Sequence, residues 1–330
     1  MNISYFNRHE SDGYSIEKIT KHIVSEVSKA NDVKNLQVPF QRVSVLNLLK
    51  NIIYVYKHRE KNGVNHITGD VHYAVLGLID CRSILTIHDL VFLEGKQSKL
   101  SYWFKYFFWL YMPVKMADRI VCISEKTKQE VLKHINTDKI AVIYDPVKLV
   151  EIDVSRKSFN ETCPRILHVG TKANKNLNRV IRSLNGVKCH LVIVGKLTKE
   201  IINFLKENNI EYENLVGISD VELANEYTKA DIVSFVSTFE GFGMPIIEGQ
   251  IADCIVITSN IAPMTEVGEN SVIYVDPFSV DSIRSGFLQI ISDKTLRESI
   301  IMKGRENRKR FSPEIIAAQY SNLYHSLLHQ

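Results

Sequence analysis

The chain has 330 residues, 45% of them hydrophobic and 24% charged, with a formal net charge of +4. That length suits two domains, and the composition is ordinary for a globular protein. No window approaches the roughly 20 apolar residues of a membrane span, and Met1-Asn2-Ile3-Ser4-Tyr5-Phe6 lacks the basic start and apolar run of a signal peptide.

The five cysteines are scattered and never in C-x-x-C spacing, which predicts free thiols in the cytoplasm and argues against zinc. The charge is uneven: residues 1–147 carry 20 Lys and Arg against 15 Asp and Glu, whereas 148–330 carry 21 against 22. A basic first half could face an anionic acceptor or a membrane surface. No nucleic-acid motif and no aromatic-basic interleaving of the RNA-binding type occurs.

In chain order, Asn2–Phe6 reads as a first strand. Gly13-Tyr14-Ser15 leads into a helix from about Ile16, with Ser15 as its cap. Strands follow near His66-Ile67, at Ser83–Ile87 and at Arg119–Ile123. The segment Leu85-Thr86-Ile87-His88-Asp89-Leu90 puts His88 at a strand's C-terminal end, where open α/β sheets line their crevice. Residues 102–116 carry both tryptophans and read as a helix kinked by Pro113. They are either packed on the first sheet or, flanked by lysines, laid at a membrane interface. Ser124 caps a helix Glu125–His134, and Ile140–Tyr144 is the last strand of this half. Lys148–Pro164 is polar and Pro-flanked, the expected linker.

From residue 165 the pattern alternates strand and helix: strand Arg165–Gly170, helix Leu177–Leu184, strand Cys189–Val194. Ser219-Asp220-Val221-Glu222 is a capping box opening a helix to about Ala230. The strand Asp231–Val236 follows, then strands Cys254–Thr258 and Ser271–Val275. Continuous apolar strands separated by helices predict doubly wound α/β domains with parallel sheets. The last helix opens at Ser312-Pro313-Glu314 and carries Ile316, Tyr320, Leu323 and Leu327 on one stripe.

The most specific segment is Ser237-Thr238-Phe239-Glu240-Gly241-Phe242-Gly243-Met244-Pro245-Ile246-Ile247-Glu248. A strand runs into it, and proline at about the first helical position starts a helix out of it. Gly241 and Gly243 let the backbone approach a ligand, and the helix start turns free N–H groups and a positive dipole end toward it. Such a site suits a phosphate, and Glu240 and Glu248 suit sugar hydroxyls. A second loop, Gly170-Thr171-Lys172-Ala173-Asn174-Lys175-Asn176-Leu177, also follows a strand and opens a helix.

The stretch from Asp231 to Pro277 resembles the C-terminal half of the family 4 glycosyltransferases, whose signature is two glutamates around G-F-G-x-P. The resemblance implies a GT-B fold, two Rossmann-like domains facing a cleft. Residues 1–147 plus about 312–330 would form the acceptor side, and 148–311 the donor side, with the last helix crossing back to the first domain. It also implies retaining transfer of a hexose-type sugar from a nucleotide-diphosphate donor to a saccharide or lipid-linked acceptor, as in surface polysaccharide synthesis.

Within the resemblance Glu248 would hold the ribose, Glu240 would sit by the hexose, and Gly241, Phe242, Gly243 and Met244 would offer N–H groups, with Pro245 beside them in the donor site. Lys175, with Gly170, Thr171 and Lys172, would grip the diphosphate, and His88 would reach the donor sugar. Gly13, Tyr14, His72 and Asp89 would lie on the acceptor side. The family usually has arginine where this chain has Asn174. No D-x-D occurs, so no metal and no other cofactor is expected. An inactive nucleotide-sugar binding subunit and another GT-B enzyme, such as an epimerase, are the alternatives.

Overall fold

The computed structural model describes all residues except 9–13, 43, 96, 150–157 and 330, and leaves out the side chains of Tyr14 and Ser15. The chain divides into two compact units, Met1–Pro146 with Ser312–Gln330, and Val147–Phe311. Each is built on a six-stranded parallel sheet with helices.

The first sheet holds β1 (Asn2–Asn7), β2 (Asp32–Gln37), β3 (Val64–Ile67), β4 (Arg82–Ile87), β5 (Arg119–Cys122) and β6 (Ile140–Val142), in the order β2-β1-β3-β4-β5-β6. The second holds β7 (Arg165–Val169), β8 (His190–Val194), β9 (Tyr212–Leu215), β10 (Ile232–Phe235), β11 (Ile255–Ser259) and β12 (Ile273–Val275), in the order β12-β11-β10-β7-β8-β9. β10 and β11 are buried along their whole length, which is why they read as largely apolar runs, whereas the equally buried β3 carries Asn65 and His66 and does not. β2 and β9 sit at sheet edges and have no such run. Pairing with β1 and β8 makes them strands, and the sequence pattern does not reveal them.

The caps fall largely where expected. Ser124 accepts from Thr127 N–H and opens Glu125–His134, and Ser219 with Glu222 forms both halves of the box that opens Asp220–Lys229. The first helix spans Tyr14–Val27, so Ser15 lies within it and is not its cap. Gly13 lies outside the described residues. Helices without an expected counterpart include Val45–His58, capped by Ser44, Lys199–Glu207, capped by Thr198, Met264–Gly268, Val280–Ser292 and Lys294–Asn307.

The final helix, Pro313–Leu328, is capped by Ser312 and belongs to the first unit. Ile316, Tyr320 and Leu327 of its stripe are buried, Leu323 is half-buried, and Tyr324 joins them in the core. A buried polar chain ties it down. Thr86 Oγ1 lies 2.7 Å from His66 Nε2, His66 Nδ1 lies 2.8 Å from Tyr324 Oη, and Tyr324 Oη lies 2.6 Å from Tyr5 Oη. Arg82 adds a bond from its Nε to the Leu327 carbonyl at 3.1 Å.

Residues 99–116 form three joined segments: an α-helix Lys99–Lys105, a π-helical turn Tyr106–Tyr111 and an α-helix Met112–Met116. The expected break at Pro113 is thus a local change of register. Proline has no N–H, so in α register the Trp109 carbonyl loses its donor. His72 Nδ1 lies 2.7 Å from that carbonyl and donates to it. The segment is neither wholly core nor wholly exposed: Trp109 is 8% exposed and Trp103 61%.

Candidate active site

In the second sheet, β7, β8 and β9 run to one side, and the chain then returns to place β10 on the other side of β7. That reversal is a topological switch point, where α/β sheets leave a crevice at the strand C-termini. The loop after β7 carries residues 170–176, and the loop after β10 carries residues 236–243. The two expected binding loops therefore meet for a topological reason, although 65 residues separate Lys175 from Glu240.

Their side chains touch. Lys175 Nζ donates to Glu240 Oε1 at 2.6 Å and lies 5.0 Å from the centre of the Phe235 ring. Both side chains are mostly buried, 20% and 15% exposed. Gly170 has φ +97°, and a Cβ there would lie 3.0 Å from Lys175 Cγ. The lysine stem thus runs along a bare backbone surface. Asn174, the departure from the family's arginine, braces the two loops. Its Nδ2 donates to the Phe239 carbonyl at 3.0 Å and to Glu240 Oε1 at 3.3 Å, and its own carbonyl accepts from Thr238 N–H at 2.8 Å.

Asn176 is a second brace, with φ +62° and nine-tenths buried. Its amide donates to the carbonyls of Val236, at 3.0 Å, and Pro277, at 2.6 Å. Thr171 Oγ1 donates to the Lys196 carbonyl at 2.9 Å and packs against Gly195, tying this loop to the one after β8. Lys172 is exposed.

The glycine turn ends in a helix Met244–Ile251 with Gly243 at its N-cap and Pro245 in its first turn. Gly243 has φ +125°, a conformation that L side chains rarely adopt. Gly241 is not among the positive-φ glycines, so the conformational demand falls on Gly243 alone of the pair. Phe242 is buried and packs edge-on against Phe311 at 5.7 Å. Glu248 is half-buried on this helix, and its Oε2 accepts from Tyr227 Oη at 2.6 Å. Sequence reasoning missed Tyr227. An aromatic in a helix signals core, and nothing local marks its partner.

In the first unit, His88 is buried just past the end of β4, with Nδ1 3.8 Å from Asp145 Oδ2. Burial alone would lower its pKa. The Asp145 carboxylate, with the charges of Asp70 and Asp89, outweighs burial and raises it. Asp145 was also missed, because it follows β6 and meets His88 only through sheet order. Asp89 is half-buried and its Oδ1 accepts from Val91 N–H at 3.0 Å. His72 is buried and bound to the Trp109 carbonyl, as a packing residue would be. Tyr14 opens its helix.

With this geometry in place, the chain can be compared with known proteins. The model described as "Glycosyl transferases group 1" matches residues 151–307, and "Glycosyltransferase Family 4" matches residues 25–151. The chain belongs to the family 4 GT-B glycosyltransferases. The enzyme is 27% identical to an uncharacterized glycosyltransferase of Methanocaldococcus jannaschii over 252 residues, 74% of this chain and 68% of that protein. It is 24% identical to the capsular polysaccharide biosynthesis glycosyltransferase CapM of Staphylococcus aureus over 346 residues, 93% and 90% of the two chains. Among solved structures, Anabaena HepE in complex with UDP and glucose superposes with a TM-score of 0.74 at 14% identity, covering 99% of this chain and 100% of that one. That likeness carries the fold.

The buried histidines predict how the enzyme responds to acid. Burial depresses His66 from 6.5 to about 3, and burial with the Lys175 charge depresses His168 to about 4; His72 is lowered too. A group with a depressed folded pKa takes its proton first in the unfolded chain. Its stabilisation is therefore complete above 6.5 and falls as pH drops from 6.5 toward 3–4. His88, raised, contributes in the opposite sense: its share is present below 6.5 and is lost as pH rises through its folded value. Three groups outweigh one, so the melting temperature at pH 5 should lie below that at pH 7.5, and His168→Leu should shrink the difference. A melting temperature equal or higher at pH 5 would refute this account.

Proposed function

We propose that the enzyme transfers a hexose-type sugar, with retention of anomeric configuration, from a nucleotide-diphosphate donor to a saccharide or lipid-linked saccharide acceptor in polysaccharide synthesis. The observation that carries this reading is the meeting of Lys175 and Glu240 at the switch point, beside the helix start after Gly243 and on the loop leading to Glu248. The capsular relative's name supports the polysaccharide context, and the UDP and glucose bound to HepE support a nucleotide-sugar donor.

In this reaction the bond from the anomeric carbon to the β-phosphate oxygen breaks, and the bond to the acceptor oxygen forms on the same face. The acceptor proton passes to the leaving phosphate, so no protein base is needed. Lys175 and the helix N–H groups stabilise charge as it gathers on the diphosphate. An arriving diphosphate competes with Glu240 for the Lys175 ammonium, and the carboxylate it releases stands beside the sugar. Glu248 accepts from the ribose hydroxyls. His88, held by Asp145, is the first unit's candidate for the sugar. Transfer needs no metal, since the chain has no D-x-D ligand pair.

Calorimetric titration of UDP, GDP and ADP tests the assignment. Glu248→Ala should weaken the nucleotide that binds roughly tenfold or more, the value of a hydrogen bond to a charged acceptor. Transfer should persist in excess EDTA. Unchanged affinity in Glu248→Ala removes Glu248 from the ribose site, and activity lost in EDTA and restored by Mn²⁺ or Mg²⁺ removes the metal-free mechanism.

We also propose a peripheral contact with an anionic lipid surface at the inner face of the membrane. Among the described residues no helix is long and apolar enough to cross a bilayer. Two helical segments of the first unit nevertheless expose apolar stripes, Leu46, Leu49, Ile53 and Tyr56 on one, and Leu100, Trp103, Phe107 and Tyr111 on the other. Tyr73 links them, accepting from Asn51 at 2.7 Å and packing 4.9 Å from Trp109. Residues 42–59 and 99–116 hold seven Lys and Arg and no carboxylate, the composition that binds anionic headgroups.

A further inference from the structure

Tyr227 has a hydroxyl whose placement goes beyond packing. Its side chain is fully buried in the second unit. Its backbone is fixed as well. It lies in the helix Asp220–Lys229, which the Ser219 capping box opens, and Cys254 Sγ donates to its carbonyl at 3.1 Å. The hydroxyl emerges at the Glu248 carboxylate, 2.6 Å from Oε2. Burial, and after it the Glu248 charge, pushes the phenol well above its ordinary range, so it stays a donor.

We propose that Tyr227 is a positioning residue for donor recognition, holding the Glu248 carboxylate ready for the two vicinal hydroxyls of the nucleotide ribose. This rests on the assignment of Glu248 to the ribose. A glutamate on a helix surface has three rotatable bonds, and a ligand must order them unless the protein has already done so. A buried tyrosine has two torsions, both fixed here by packing, and so makes a rigid tether. A carboxylate can accept several hydrogen bonds over its two oxygens, so the bond from Tyr227 is compatible with those from a ribose. The same helix follows the segment Val216–Ser219, whose Val216 and Gly217 are exposed and which lies where the nucleotide base could be contacted. The tether thus lies on the helix that this segment leads into.

The test is binding of UDP, GDP and ADP, and of their 2′,3′-dideoxy counterparts, by calorimetry. The wild-type enzyme should prefer the ribonucleotide about tenfold or more. Tyr227→Phe should lose roughly 5- to 20-fold of ribonucleotide affinity and leave the dideoxy affinity unchanged, so that the preference collapses. In a Glu248→Ala background Tyr227→Phe should have no further effect. Glu248→Asp, which leaves the core intact but draws the carboxylate one carbon away from Tyr227, should lose the preference too, and it keeps the test open if Tyr227→Phe folds poorly. Wild-type preference in either single variant overturns the role of Tyr227 while Glu248 keeps its assignment. A wild-type enzyme that binds ribo and dideoxy forms equally, or binds none of the three nucleotides, overturns the ribose assignment and the tether with it.

Discussion

Replacing Lys175 with alanine is expected to lower kcat about 10²–10³-fold, with a smaller change in donor affinity, the range for removing one preorganised donor. The glycosyl bond leaves its electrons on the diphosphate, so the lysine's partner is more negative in the transition state than in the bound donor. Interactions that strengthen along the reaction are read in turnover. The same substitution also strips Glu240 of its 2.6 Å partner in a mostly buried setting, which by itself costs stability. The double variant Lys175→Ala/Glu240→Gln separates the two effects. It should recover much of the melting temperature, because a neutral amide no longer needs a cation, while turnover stays low. Steady-state kinetics with the cognate donor decides the point. If Lys175→Ala turns over at the wild-type rate, the loop at 170–176 is not the diphosphate clamp, and the exposed Lys172 becomes the next group to examine.

The second large effect separates the two tryptophans. Trp109→Ala should destabilise the first unit by about 3–5 kcal/mol, the cost of truncating a large buried aromatic. It would also leave the Asp70 carbonyl without the indole N–H, now at 2.7 Å, and open space beside Tyr73. Trp103→Ser should leave the melting temperature nearly unchanged, because that ring is 61% exposed. The exposed ring should instead govern lipid contact. Co-sedimentation with phosphatidylglycerol-containing vesicles should fall in Trp103→Ser and in Leu49→Ser/Ile53→Ser, and rising salt should release the wild-type enzyme. Vesicle binding equal in wild-type and variants, or absent in all, would remove the membrane contact. A large fall in melting temperature for Trp103→Ser would place that ring in the core.

The local chemistry of this chain is legible because it acts within a few residues. The caps at Ser124, Ser219 and Ser312, the Gly243-Met244-Pro245 helix start and the apolar runs of the central strands depend on neighbours one to four positions away, and the structure has them where the sequence predicts them. The motif around Glu240 and Glu248 was legible for the same reason, and with it the family. What tertiary structure decided is which distant groups meet. Lys175 reaches Glu240 because the order of the second sheet reverses at β7. Tyr227 reaches Glu248 although 21 residues separate them, and Asp145 reaches His88 across the first sheet. Edge strands β2 and β9 are made by backbone pairing with a neighbour, which leaves no trace in side-chain periodicity. The 99–116 segment shows the limit most directly. Its aromatics are alike in sequence, and only packing against His72–Gly77 sends Trp109 inward, leaves Trp103 outside and turns His72 into the donor that Pro113 cannot supply.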